Sequence, residues 1–227
     1  MLYGAAALLV ALAPGQLAAA EEQPTQVRSS YWRERTSFFR TFGHRPQVVM
    51  IGDSLTDAAE WVEMFPEQDI ANRGIDSDTT DGVLERIDDV VAARPRIAFL
   101  MIGINDFMDP RRSVDTVFAN YREIVRRLSQ GGAQVVVQST LPCNEAKAAW
   151  KSCAALNGKI AQLDARLPSL ASASVTFVDL RPLLAADGNL RAELTFDGVH
   201  LNGAGYRLWQ QGIAASMPTA TRAAPRR

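Results

Sequence analysis

Five short apolar runs punctuate the chain, at Gln47–Ile51, Ile70–Asn72, Ile97–Ile102, Val135–Gln138 and Val175–Val178. Each has the length and β-branched content of a strand. Ile97-Ala98-Phe99-Leu100-Met101-Ile102 holds no polar residue to turn toward water, so it predicts a strand covered on both faces. Between the runs, apolar positions recur every three to four residues. That spacing predicts amphipathic helices near Thr80–Ala93, Val114–Gln130, Trp150–Leu167 and Ala204–Ser216. Arg94-Pro95, Asp109-Pro110, Gly131-Gly132 and Asp187-Gly188-Asn189 supply turns between them. Ahead of the first strand, Glu22–Gly43 is partly helical, with Tyr31, Trp32, Phe38, Phe39 and Phe42 forming an apolar face. Strands alternating with helices predict an α/β domain built on a mainly parallel sheet. Neither an internal repeat nor a low-complexity linker interrupts it, so residues 21–218 form one domain, followed by a flexible tail at 219–227.

The first twenty residues follow another pattern. Ala5–Ala13 is an apolar run too short to span a bilayer, Pro14-Gly15 breaks it, and Ala18-Ala19-Ala20 precedes the first acidic residues. This is the layout of an export signal occupying residues 1–20, cut after Ala20, although no Lys or Arg precedes the apolar run. An apolar N-terminal core helix is the alternative. Cys143 and Cys153 fit export: ten positions apart, they would pair in an oxidising periplasm or medium, and two free thiols are the other reading. Neither cysteine has a histidine nearby, which argues against a metal site.

Composition narrows the function. The 24 basic and 25 acidic residues leave a formal net charge of −1, so the chain carries no electrostatic footprint for nucleic acid or an anionic membrane surface. A length of 227 residues with 47% hydrophobic content suits a single well-cored domain, with no stable membrane insertion and no signal of oligomeric state.

In open α/β sheets ligands bind beyond the carboxyl ends of the strands. Gly52-Asp53-Ser54, Asn72-Arg73-Gly74 and Gly103-Ile104-Asn105-Asp106 all fall at predicted strand ends. Asp197 and His200, three positions apart near the C-terminus, can share one face of a turn, the carboxylate orienting the imidazole as a base for the Ser54 hydroxyl. Gly74, whose N–H can approach a ligand closely, and the Asn105 amide are candidate donors to an oxyanion. Taken singly, each has a plainer reading: Asp53 or Ser54 caps the next helix, Gly74 ends a strand, Asn105-Asp106 makes a turn. His44, in Gly43-His44-Arg45-Pro46, has no acid or nucleophile beside it in sequence and reads as structural.

Ile51-Gly52-Asp53-Ser54-Leu55-Thr56-Asp57, Asn72-Arg73-Gly74, Gly103-Ile104-Asn105-Asp106 and Asp197-Gly198-Val199-His200 together resemble the four sequence blocks of the SGNH, or GDSL, hydrolase superfamily, in its order. The resemblance implies a flavodoxin-like three-layer α/β/α sandwich with a five-stranded parallel sheet and no metal or organic cofactor. It also implies Ser54 as nucleophile, His200 as base and Asp197 as its partner, with an oxyanion hole from the N–H groups of Ser54 and Gly74 and the Asn105 side chain. Asn72–Thr80 and Met101–Asp106 look most like bacterial acylhydrolases that resemble the platelet-activating-factor acetylhydrolase catalytic subunit and carbohydrate acetylesterases. The expectation is an exported serine esterase acting on short-chain esters, an O-acetylesterase on carbohydrate. A lysophospholipase or thioesterase with an acyl-chain groove is the first alternative, and a non-catalytic binding module on the same fold the second.

Overall fold

The computed structural model describes residues 27–148 and 153–219. The expected leader, Trp150 at the start of the fourth predicted helix and residues 220–227 of the tail lie outside them. In chain order the elements are α1 (Ser30–Thr41), β1 (Val48–Gly52), α2 (Ser54–Asp57), α3 (Trp61–Met64), β2 (Ile70–Gly74), α4 (Thr80–Ala92), β3 (Ile97–Met101) and α5 (Val114–Gln130). There follow β4 (Gln134–Gln138), α6 (Cys153–Asp164), β5 (Val175–Val178), α7 (Arg181–Leu184), β6 (Ala185–Ala186), β7 (Asn189–Leu190) and α8 (Gly203–Ile213).

β1 to β5 form one parallel sheet in the order β2-β1-β3-β4-β5, and β6 and β7 make a small antiparallel hairpin. The alternation of side chains along a strand splits the apolar runs between two cores. Val49, Ile51, Ala98, Leu100, Val135 and Val137 join Val83 and Ile87 of α4, Tyr121 and Ile124 of α5 and Leu156 and Ile160 of α6 on one face. Val48, Met50, Phe99, Met101 and Val136 join Trp61, Leu184, Trp209 and Ile213 on the other. Helices therefore cover both faces, which is why the strands carry no polar stripe. Full burial of each aliphatic side chain contributes about 1.5–3 kcal/mol relative to exposure.

The long helices follow the predicted spacing because their caps and apolar faces agree. Thr79 Oγ1 accepts the Gly82 N–H to open α4, Ser113 Oγ accepts the Thr116 N–H to open α5, and Asn202 Oδ1 accepts from Ala204 and Gly205 to open α8. β2 runs two residues further than predicted, to Gly74, and places Gly52 level with Gly74 and Met101 across three strands. Their carboxyl ends open at one edge. The short helices α2, α3 and α7 and the hairpin escaped the sequence pattern, since four residues are barely one turn and show no period.

Gly158 sits in the interior of α6 without a positive φ, and a Cβ there would meet nothing within 4 Å. Gly158→Ala is expected to stabilise the fold by about 0.5–1 kcal/mol, raising the melting temperature by about 1–4 °C. A lower melting temperature would show that α6 depends on glycine at this point.

Candidate active site

β1 leads straight into α2, and the turn between them has no room for a side chain at its first residue. A Cβ on Gly52 would collide with the Met101 carbonyl and with Thr56. Asp53 Oδ1 accepts the Leu55 N–H at 3.1 Å and caps α2, so the capping reading holds for Asp53 and leaves the Ser54 hydroxyl free for another partner. That partner is His200, whose Nε2 lies 3.0 Å from Ser54 Oγ.

Asp197 holds the far side of the ring. His200 Nδ1 is 2.6 Å from Asp197 Oδ2, while Oδ1 accepts the backbone N–H of Val199 at 2.9 Å and of His200 at 2.8 Å. Burial works against the Asp197 charge, but the hydrogen bonds from His200 and from these two N–H groups outweigh it and hold the carboxyl below its ordinary value. The turn that brings acid and base together depends on Gly198, at φ +93°, where a Cβ would strike the backbone of Ala148. Thr195 closes the loop, its Oγ1 accepting the Gly198 N–H and donating to the His200 carbonyl. Asn144 N–H donates to the Gly198 carbonyl at 2.7 Å, tying this loop to the segment after β4. Phe196 lies stacked beside the imidazole at 6.1 Å and is 68% exposed.

The oxyanion side differs from the expectation. Gly74 is buried and its N–H already donates to Asn72 Oδ1 at 2.8 Å, so it is not the open donor the sequence pointed to. The loop after it offers a less engaged group. Ser77 is exposed in the left-handed region at φ +59°, and among the described residues no hydrogen bond engages its N–H or that of Ser54. Asn105 reaches the same loop, one amide hydrogen donated to the Asp78 carbonyl at 3.0 Å and the other remaining. Sequence reasoning missed Ser77. The Asp76-Ser77-Asp78 run signals a turn, but not which N–H the turn exposes.

Behind these groups lies a layer of buried acids. Asp78 pairs with Arg86, Oδ2 to Nε at 2.9 Å, and Asp106 accepts from Thr80 N–H at 2.9 Å. Desolvation pushes Asp53 up to about 7 against the Leu55 hydrogen bond, and Asp106 up to about 6 against those from Thr80. Asp164, beneath β4, is likewise pushed up to about 7 by burial. Each binds its proton more tightly folded than unfolded, where 3.8 is ordinary. Their contribution to stability is complete below about pH 4 and is lost as pH rises through about 6–7. The melting temperature is expected to fall between about pH 4 and 7 and then level, with a shallower slope for Asp53→Asn. A melting temperature that rises through this window would contradict it.

Cys143 and Cys153 lie with Cα atoms 6.0 Å apart and their sulfurs at bonding distance. His44 stays remote from the site but has an acid after all, Asp69 Oδ1 at 3.2 Å, on an exposed surface.

The model of the GDSL-like lipase/acylhydrolase family matches residues 50–208. The alpha2 subunit of platelet-activating factor acetylhydrolase IB from Rattus norvegicus is 28% identical over 170 residues, 71% of each chain. A solved structure from Streptococcus pneumonia, described as a putative platelet activating factor, superposes with a TM-score of 0.72 at 26% identity, covering 82% of this chain and 92% of its own. An acetyl xylan esterase shares the fold with a TM-score of 0.63 at 21% identity, over 75% of this chain and 99% of its own.

Proposed function

Because the chain belongs to the GDSL-like lipase/acylhydrolase family and is a carboxylic ester hydrolase, we propose that Ser54, His200 and Asp197 are its catalytic triad and that it removes short acyl groups, acetyl foremost, from carbohydrate. The observation that carries this reading is the unbroken line of contacts from Asp197 Oδ2 through His200 to Ser54 Oγ, 2.6 Å and then 3.0 Å. Ser54 Oγ attacks the ester carbonyl while His200 Nε2 takes its proton, and Asp197 steadies the imidazolium. The oxyanion is received by the N–H groups of Ser54 and Ser77 and by the remaining amide hydrogen of Asn105. His200 then gives its proton to the leaving alcohol, and water, activated by the same base, releases the acid and frees Ser54.

Two features favour a carbohydrate ester. Phe196 offers an exposed aromatic face beside the base, a surface on which a sugar ring can lie, and the fold is shared with an acetyl xylan esterase. Export, with cleavage after Ala20 and a Cys143–Cys153 disulfide, would place the enzyme where such polymers are met. No helix among the described residues is long and apolar enough to cross a membrane.

The test is an ester panel running from p-nitrophenyl acetate to the dodecanoate, with acetylated xylo-oligosaccharides beside them. Activity should peak at acetyl and fall with chain length. A rise of about fourfold per added methylene, the worth of roughly 0.8 kcal/mol of burial, would instead assign an acyl-chain groove. Asn105→Ala should lower kcat by about 10²–10³ with little change in KM, as expected for a donor used mainly in the transition state.

A further inference from the structure

The two backbone donors assigned to the oxyanion stand on different elements: Ser54 opens α2, and Ser77 belongs to the turn after β2. The Asp78 N–H closes that turn on the Ile75 carbonyl at 3.1 Å, so Asp76 and Ser77 are its central residues. A positive φ at the second of them, +59°, and none at the first is the pattern of a type II turn. Glycine or asparagine ordinarily takes that second place, and serine holds it against its steric preference. Turning over the one peptide group between Asp76 and Ser77 would convert the turn to type I, relieve the strain and aim the Ser77 N–H the opposite way. Inside the turn, Ser77 Oγ donates to Asp76 Oδ2 at 3.0 Å.

Asp57 adds a hold from outside. It is the last residue of α2, and its Oδ2 accepts the Asp76 N–H at 3.1 Å, so one carboxylate ties the turn to the helix that begins with Ser54. Strand and helix are already close there: a Cβ on Gly74 would collide with the backbone of Thr56 and Asp57, and Asn72 Nδ2 donates to the Asp57 carbonyl at 2.9 Å. The carboxylate is itself held from α1. The Tyr31 hydroxyl donates to Oδ2 at 2.8 Å, and Arg35 Nη2 stands 3.9 Å from Oδ1. The next residue of α1 grips the far end of the turn, with Trp32 Nε1 donating to Asp78 Oδ1 at 3.0 Å while the Asp78 carbonyl accepts the Asn105 amide. α1 thus reaches both ends of the turn, although it lies ahead of the residues 50–208 that match the family model.

We propose that Asp57 and Tyr31 are positioning residues for ester hydrolysis, holding the Ser77 turn against α2 so that the N–H groups of Ser54 and Ser77 converge on one oxyanion. This rests on the oxyanion donors named for the proposed esterase. Donors fixed before the reaction need no reorganisation in the transition state, and a displacement of about 1 Å in such a group can lower the rate by about 10²-fold. The Tyr31 hydroxyl and the Asp57 carboxylate act through the turn, so their loss should appear in the chemical step and leave substrate binding alone.

The experiment compares Tyr31→Phe, Asp57→Ala, Asp57→Asn and Ser54→Ala in the full chain with p-nitrophenyl acetate, alongside a thermal melt of each at the assay pH. Asp57→Ala should lower kcat by about 10–100-fold and Tyr31→Phe by about 3–10-fold, each with KM within about twofold of wild type. Asp57→Asn retains a carbonyl oxygen for the Asp76 N–H and should keep at least about a third of the wild-type kcat. Tyr31→Phe removes one exposed hydroxyl and keeps the ring, so its melting temperature should stay near that of wild type while kcat falls; a helix that only docks would show the reverse. The proposal is overturned if either Asp57→Ala or Tyr31→Phe keeps kcat within about twofold, if the loss falls on KM, or if Asp57→Asn is as impaired as Asp57→Ala. Any of these with Ser54→Ala inactive would leave the triad standing, whereas activity retained in Ser54→Ala would remove the triad itself.

Discussion

Ser54→Ala is expected to lower kcat for p-nitrophenyl acetate by about 10⁴–10⁶, and His200→Ala by a similar factor. The reason is visible in the contacts. Ser54 Oγ is the hydroxyl that His200 Nε2 meets at 3.0 Å, and the imidazole is held from its other nitrogen by Asp197 at 2.6 Å. Remove the hydroxyl and the base has no nucleophile to activate; remove the base and the hydroxyl keeps its proton. Because the two act as a unit, the double variant should be hardly worse than either alone. Asp197→Asn should cost about 10⁴, since an amide can no longer hold the imidazole in the tautomer that accepts the Ser54 proton. Steady-state kinetics at protein concentrations fixed by absorbance checks all four proteins. Retention of activity within tenfold in Ser54→Ala, once contaminating wild type is excluded, would remove the triad from this chain.

Arg86→Ala should destabilise the fold by about 3–5 kcal/mol, lowering the melting temperature by roughly 6–20 °C. Its side chain is 2% exposed and that of Asp78 is 0% exposed, so truncation strands a carboxylate in the interior. Asp78 keeps the Trp32 Nε1–H and the Thr79 N–H, each at 3.0 Å on Oδ1, and the weaker attraction of Arg28, but its Oδ2 loses the Arg86 bond at 2.9 Å. Burial already pushes the Asp78 carboxyl upward against the pull of Arg86, so the truncated protein should recover part of its stability in acid, where Asp78 takes up a proton. Adding Asp78→Asn should restore much of the loss at neutral pH, because the uncompensated charge is then gone. Thermal melts at two pH values measure both effects. A loss under about 1 kcal/mol would mean that the pair is dispensable to the layer beneath Ser54.

The strands were readable because burial on both faces writes an unbroken apolar run, as at Ile97–Ile102, and α4 and α5 because their caps and apolar faces agree. Ser54, Asp197 and His200 stood out by residue type, since acyl transfer has few ways to build a nucleophile and an oriented base. Gly74 did not keep the role assigned to it, for a reason no local pattern contains: its N–H is taken by the side chain two residues before it. The exposed N–H of Ser77 depends on a single positive φ, and serine is not a residue that announces one.

Ser54 and His200 stand 146 positions apart, and the loop bearing the base is held partly by residues that follow it, with Asn202 N–H donating to the Leu194 carbonyl and the Tyr206 hydroxyl to the Leu55 carbonyl. A growing chain therefore carries its nucleophile for most of its synthesis without any means of using it. Hydrolytic power arrives in one step, with the last helix, so esterase activity during refolding is a clock for the final docking event and reads zero for every earlier intermediate.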